Sequence, residues 1–275
     1  MQALSTSGKQ ETRTIRMDDI KSALRDSSPQ LKLVLFDIDG TILSSGSFTK
    51  CLVKVVVDKL GSSVNTAPLS DRAKTGSTMK SVLISILNEE GIPEDKQEGL
   101  VEEMLSSATM EYKSWLSKFP LKLLDGVAEL IELLSSREDV MLGIVTNNIK
   151  EMMLLKLDNV KLLEVFSRYG LMFPGDNIPG DKASLLELVV ESAVKNFSPR
   201  LDRKNIFYIG DQVSDMLGAK AAGAVAVGIA TGKSTFEELE AAGASAVFRS
   251  FADNARAAMA VIEMPRAYAA KKMTV

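Results

Sequence analysis

The stretch Leu33-Val34-Leu35-Phe36-Asp37-Ile38-Asp39-Gly40-Thr41 does most to restrict the folds open to this chain. A short apolar run that stops at a turn signal reads as a buried strand. In open parallel sheets, ligands bind beyond the carboxyl ends of the strands. Asp37 and Asp39 then stand at the mouth of a site, close enough in sequence to share one cation. The plainer alternative for this stretch is a turn, because Asp and Gly are common there.

The rest of the chain supplies the context. Residues 1–28 form a polar tail with a short helix expected over 17–25, closed by Pro29. The first ten residues lack acids, a faint likeness to an organelle transit peptide. Glu11, Asp18 and Asp19 argue against one, so the expected location is the cytoplasm, with organelle targeting by the tail left open. After the first strand, the pattern from 45 to 119 is helical. One helix carries Phe48, Leu52, Val56 and Leu60, a second spans about 78–90, and a third about 93–118. Pro120 ends the block, which reads as a helical insertion of the kind that forms lids. Residues 71–77 read as a polar, glycine-containing loop whose Arg72 and Lys74 could grip an anionic substrate. An exposed interhelical turn is the plainer reading of the same residues.

Beyond Pro120 the strand–helix alternation of an α/β sheet begins. Strands are expected over 140–145, near 169–173, over 205–209 and 224–229, with an edge strand at 246–248. Asp181 caps one intervening helix, and Thr235 to Glu238 has capping-box spacing. The expected fold is therefore α/β: a Rossmann-like parallel sheet with helices on both faces, plus an all-helical domain inserted after the first strand. The expected domains are a tail (1–28), a core (29–44 and 120–275) and the helical insertion (45–119).

Composition removes several chemistries. The chain of 275 residues has no histidine, so triads, phosphohistidine and histidine zinc sites are excluded. Cys51 is the only cysteine, so no internal disulfide forms, and Val57 occupies the place of the arginine in a Cys-x5-Arg loop. A net charge of -3 without a basic run speaks against nucleic acid. No apolar run is long enough to span a bilayer. Gly232-Lys233-Ser234 resembles the end of a Walker A loop, but Val227 stands where its first glycine belongs. Met152, Met153, Trp115 and Cys51 read as packing residues.

Three expected strands end in distinct polar groups: Asp37 and Asp39, Thr146 and Asn147, and Asp211. Lys182 follows a Gly-rich loop, and Asp215 belongs to the first turn of the helix after Asp211. Two like charges 4 Å apart repel by about 4 kcal/mol at an effective dielectric near 20. Such a carboxylate cluster calls for a cation, and oxygen-only ligands select a hard ion, Mg2+ rather than Zn2+. Lys182 and the Thr146 hydroxyl suit a phosphate dianion. With no imidazole or second thiol, a carboxylate is the most plausible nucleophile.

These residues resemble the haloacid dehalogenase-like (HAD) superfamily of aspartate-nucleophile phosphohydrolases, over about residues 31–262. Asp37-Ile38-Asp39-Gly40-Thr41 looks like its first motif, and Val145-Thr146-Asn147-Asn148 like its second. Lys182 in Gly180-Asp181-Lys182-Ala183 fits the third, and Gly210-Asp211-Gln212-Val213-Ser214-Asp215 the fourth. The helical block is similar to the family's first type of cap, and Thr231 to Ala244 resembles phosphoglycolate-phosphatase-like members. The resemblance implies that Asp37 attacks phosphorus and Asp39 shuttles the proton. It places Thr146, Lys182, Gly40 and the Asn147 N–H on the phosphoryl group. It assigns Mg2+ to Asp37, Asp211 and the Asp39 carbonyl, with Asp215 binding through water or orienting Lys182. The implied substrate is a small phosphorylated metabolite, with phosphoglycolate or a sugar phosphate as the candidates, and the protein a monomer or weak homodimer. A phosphosugar mutase and a non-catalytic phosphate-binding relative are the alternatives.

Overall fold

A computed structural model describes residues 30–44, 48–75, 77–175, 181–252, 254–263 and 273–274. The expected tail and its helix over 17–25 lie outside these residues, as does Gly180. The sheet is parallel throughout. Its strands are β1 (Lys32–Phe36), β2 (Val140–Val145), β3 (Met172–Phe173), β4 (Ile206–Gly210), β5 (Val225–Ile229), β6 (Ala246–Phe248) and β7 (Met273–Thr274). Their order is β3-β2-β1-β4-β5-β6-β7. β1 is central: Leu35 pairs with Gly143 of β2 on one side and with Tyr208 of β4 on the other. The strand order reverses between β1 and β4, which is where α/β sheets open a crevice at the carboxyl edge.

Period-two alternation explains the layering. Val34 and Phe36 of β1 face an apolar cluster completed by α5 (Val127–Ser135) and α11 (Ala255–Glu263). Leu33 and Leu35 face the opposite cluster, completed by α8 (Lys182–Phe197) and α9 (Val213–Ala221). Both faces of β1 are buried, which is why it reads as a continuous apolar run.

Between β1 and β2 the chain builds α1 (Phe48–Leu60), α2 (Ala67–Thr75), α3 (Met79–Glu89) and α4 (Glu94–Leu116), which share their own apolar core. Thr78 caps α3 by accepting the Ser81 N–H. The loop expected over 71–77 is corrected: α2 continues through Thr75, and Arg72 and Lys74 lie on that helix. Their side chains lie outside the described residues. The helix was hidden because Pro68, Ser70, Asp71 and Thr75 resemble loop composition, whereas Leu69 supplies a fully buried anchor. Proline is tolerated in a first helical turn. The strand expected near 169–173 shortens to Met172–Phe173.

The segment α6 (Lys150–Asn159) joins the two cores. Ile149, just before it, and Met152 pack into the helical block, while Met153 and Leu157 pack under the sheet. Among the described residues, no helix is long and apolar enough to cross a membrane.

Candidate active site

The polar residues at the carboxyl ends of β1, β2 and β4 converge at the crevice. Asp37 follows β1, and its backbone N–H is fixed to the Ile209 carbonyl at 2.9 Å. Its side chain is almost completely buried and lies 3.0 Å from Lys182 Nζ. Lys182 is the first residue of α8, directly after Asp181, whose carboxylate caps the helix by accepting the Ser184 N–H. The cap fixes the backbone from which Lys182 projects. Its ammonium also binds Asp215 Oδ1 at 2.8 Å. Asp215 has a second task, since Oδ2 accepts the Gln212 N–H at 3.0 Å and closes a capping box on α9. It thus combines orientation of Lys182 with an N-terminal helix charge.

Asp211 completes the group. Ligand oxygens of Asp37, Asp211 and Asp215 all lie within 4.8 Å of one another. Asp211 Oδ2 accepts the Lys233 N–H at 3.0 Å. Its other oxygen, Oδ1, is buried with no hydrogen-bond partner. Two glycines make room for this carboxylate. A Cβ on Gly232 would stand 1.8 Å from Asp211 Oδ2, and one on Gly40 2.5 Å from it. Gly40 also holds φ at +83°, a left-handed conformation that glycine adopts without penalty. The 231–234 loop is tied in place: Thr231 donates to the Gly40 carbonyl (2.6 Å), and Ser234 Oγ accepts the Val213 N–H (3.1 Å). This segment, which resembles a Walker A ending in sequence, is the wall behind Asp211.

The electrostatics follow from this packing. Burial pushes the Asp211 carboxyl up to about 8, helped by the charges of Asp215 and Asp37. Burial likewise raises Asp37; Lys182 opposes the rise, and Asp215 and Asp39 add to it. Burial works against the charge on Lys182, yet Asp215 and Asp37 outweigh it and hold the ammonium above the ordinary lysine range. Three carboxyl groups face one ammonium, so full ionisation would leave two negative charges in a buried pocket. An unpartnered buried carboxylate oxygen in that setting fits a divalent cation.

Thr146 follows β2 and is buried. Its Oγ1 accepts Asn148 Nδ2 at 2.8 Å. Asn147, next to it, is half-buried. The carboxylate of Asp39 is held differently from the others. Lys156 Nζ lies 2.6 Å from Oδ2 and 2.7 Å from Oδ1, and Asn148 Nδ2 donates to Oδ2 at 2.8 Å. Sequence reasoning missed Lys156 and gave Asn148 no role beyond its place in the second motif. A signal was there to use: Lys156 falls three and four residues after Met153 and Met152, on the apolar face of α6. A lysine on a buried face implies a partner.

Comparison with known proteins follows the same lines. The haloacid dehalogenase-like hydrolase family matches residues 34–229. The chain is 27% identical over 202 residues to a phosphoglycolate phosphatase of Neisseria gonorrhoeae, covering 74% of this chain and 81% of that one. Its fold is similar to a protein from Haemophilus somnus described as a predicted phosphoglycolate phosphatase (TM-score 0.63, 20% identity, 84% of this chain and 100% of that one). It is also similar to a β-phosphoglucomutase of Clostridium difficile (TM-score 0.61, 16% identity, 81% and 92%).

Proposed function

The chain belongs to the haloacid dehalogenase-like hydrolases, and from that premise we propose that it is a Mg2+-dependent phosphatase acting on a small phosphate monoester through an aspartyl phosphate on Asp37. The observation that carries this reading is the pairing of Asp37 with Lys182 beside the unpartnered Asp211 oxygen. A buried carboxylate, its ammonium partner and an unpartnered carboxylate oxygen side by side at one strand edge support a nucleophile next to a cation ligand. The likeness to the Neisseria phosphoglycolate phosphatase supports phosphoglycolate or a comparably small phosphate ester as substrate.

In this reading, an Asp37 oxygen bonds to phosphorus as the ester P–O bond breaks. Asp39 gives its proton to the leaving oxygen, then takes one from the water that releases phosphate from Asp37. Lys182, Thr146, the Asn147 N–H and Gly40 surround the phosphoryl oxygens. Asp37, Asp211 and the Asp39 carbonyl would hold Mg2+, with Asp215 acting through Lys182 or a water. When bound, the ion neutralises charge on the transferring phosphoryl group. Residues 45–119 act as the cap that shields the site from bulk water, with Arg72 and Lys74 as its candidates for contacting substrate.

The test is phosphate release from a panel of monoesters with Mg2+ or with EDTA, for the wild type and Asp37→Asn. We expect Mg2+-dependent release and a loss of at least about 10³-fold in the variant. Release that survives EDTA, or a variant as active as the wild type, would sink the proposal. Net hydrolysis without a bisphosphorylated activator separates a phosphatase from a mutase.

A further inference from the structure

One buried charge is used by neither the packing nor the chemistry above. Lys156 is 2% exposed and sits mid-helix in α6 among Met152, Met153 and Leu157. An apolar side chain there would serve packing as well or better, because desolvating an ammonium is costly unless it is paired. Its partner is Asp39, whose side chain is 25% exposed and faces the site. The contact is made to both carboxylate oxygens, at 2.6 and 2.7 Å.

The arrangement has a third member. Asn148 accepts from Lys156 Nζ through Oδ1 at 3.1 Å, and its Nδ2 donates both to Asp39 Oδ2 and to Thr146 Oγ1, each at 2.8 Å. One buried amide therefore links the group expected to hold the phosphoryl oxygens to the group expected to move the proton. Asn148 is itself 4% exposed, so water does not compete freely for these bonds.

We propose that Lys156, acting with Asn148, is a positioning residue that fixes the Asp39 carboxyl group for proton exchange with the leaving oxygen and with water. This rests on the phosphatase reading of the site. In the first half-reaction, the bond from Asp37 to phosphorus forms, the ester P–O bond breaks, and the electron pair left on the leaving oxygen takes the Asp39 proton. Asp39 is left as a carboxylate facing an ammonium already in place, so its new charge is met without reorganisation. In the second half-reaction, the water oxygen bonds to phosphorus, the Asp37–phosphorus bond breaks, and the water proton returns to Asp39. Lys156 meets the Asp39 carboxyl oxygens and the Asn148 amide, so its effect is transmitted through the orientation of Asp39.

Leaving-group dependence tests this. An alkyl leaving group needs a proton as the ester bond breaks, whereas p-nitrophenolate leaves without one. The full-length protein with saturating Mg2+ is assayed on p-nitrophenyl phosphate and on the alkyl monoester it turns over fastest. In Lys156→Met, the ratio of alkyl to aryl kcat/KM, which reports the first half-reaction and not the hydrolysis of the shared phosphoenzyme, is expected to fall on the order of 10²-fold, the usual scale of general acid catalysis. Lys156→Arg, which keeps the cation, recovers most of the ratio, and Asn148→Ala lowers it in the same direction by less. A folded Lys156→Met that loses both substrates in equal proportion, or neither, overturns the proposal. If Lys156→Met does not fold, an unchanged ratio in both Asn148→Ala and Lys156→Arg overturns it, and a lowered ratio in Asn148→Ala supports it. A wild type without Mg2+-dependent release from either ester overturns the phosphatase reading, and this inference falls with it.

Discussion

Lys182 and Lys156 are both buried lysines bound to aspartate at one site, and they do different things. Lys182 lies at the floor, between Asp37 and Asp215, whose side chains are 5% and 0% exposed. There the carboxylates outnumber the ammonium, and the excess negative charge is what a cation would neutralise. Lys156 lies at the rim, bound to both carboxylate oxygens of the partly exposed Asp39. The floor is built to hold charge in place. The rim leaves its carboxylate partly open to solvent, which suits the proton exchange proposed for Asp39.

The comparison is broken most directly by removing each ammonium. Lys182→Met strands two buried carboxylates and is expected to cost about 3–5 kcal/mol of stability, the range for breaking a buried pair. Lys156→Met should cost less than half as much, because Asp39 can turn toward water. Equal losses in urea unfolding would show that the rim is as dry as the floor. The next largest effect concerns the wall behind Asp211. In Gly232→Ala, the new methyl cannot coexist with Asp211 in its present place. Mg2+ affinity measured by calorimetry should fall by about 10–100-fold, as for lost support of a ligand.

A pH series sharpens the contrast further. The Asp211 carboxyl is raised to about 8, so without metal the folded state binds a proton that the unfolded chain releases near pH 4. In EDTA, this group's contribution to stability is full below about pH 4 and is lost as pH rises through about 8. Mg2+ competes with that proton, so the rise in Tm on adding Mg2+ should be larger at pH 8 than at pH 5.5. A Mg2+ effect that shrinks with rising pH would contradict the assignment of Asp211. The smallest effect is expected in the helical block. Tyr112 is buried with no partner for its hydroxyl, and its ionisation is pushed up by burial and then by the charge on Asp39. Tyr112→Phe should change stability by no more than about 0.5 kcal/mol, since no hydrogen bond is lost. A larger loss would mean that the hydroxyl is engaged in solution.

Much of this is legible in the sequence. The strand 32–36, the helices over 79–89 and 94–116, and the alternation after Pro120 follow from apolar periodicity and punctuation by Pro and Gly. Helix α2 was not legible, because its stability comes from burying Leu69 against neighbouring helices rather than from local preference. Asp37, Asp211 and Lys182 stand at strand ends or a helix start, positions that the order of elements already implies. Asn148 and Lys156 do not stand out in that way. One lies two residues past its strand and the other in mid-helix, and each gains its meaning only from Asp39, more than a hundred residues away.

The sequence by itself determined the sheet, the carboxyl edge that carries the acidic residues, and the absence of any imidazole to share their work. Periodicity and composition act locally and survive without knowledge of contacts. Only the tertiary structure decided which cation meets which carboxylate. Pairing depends on distances between segments far apart in the chain, and on how much water each pair retains. Those quantities divide an unpaired Asp211 oxygen at the floor from a clamped Asp39 at the rim.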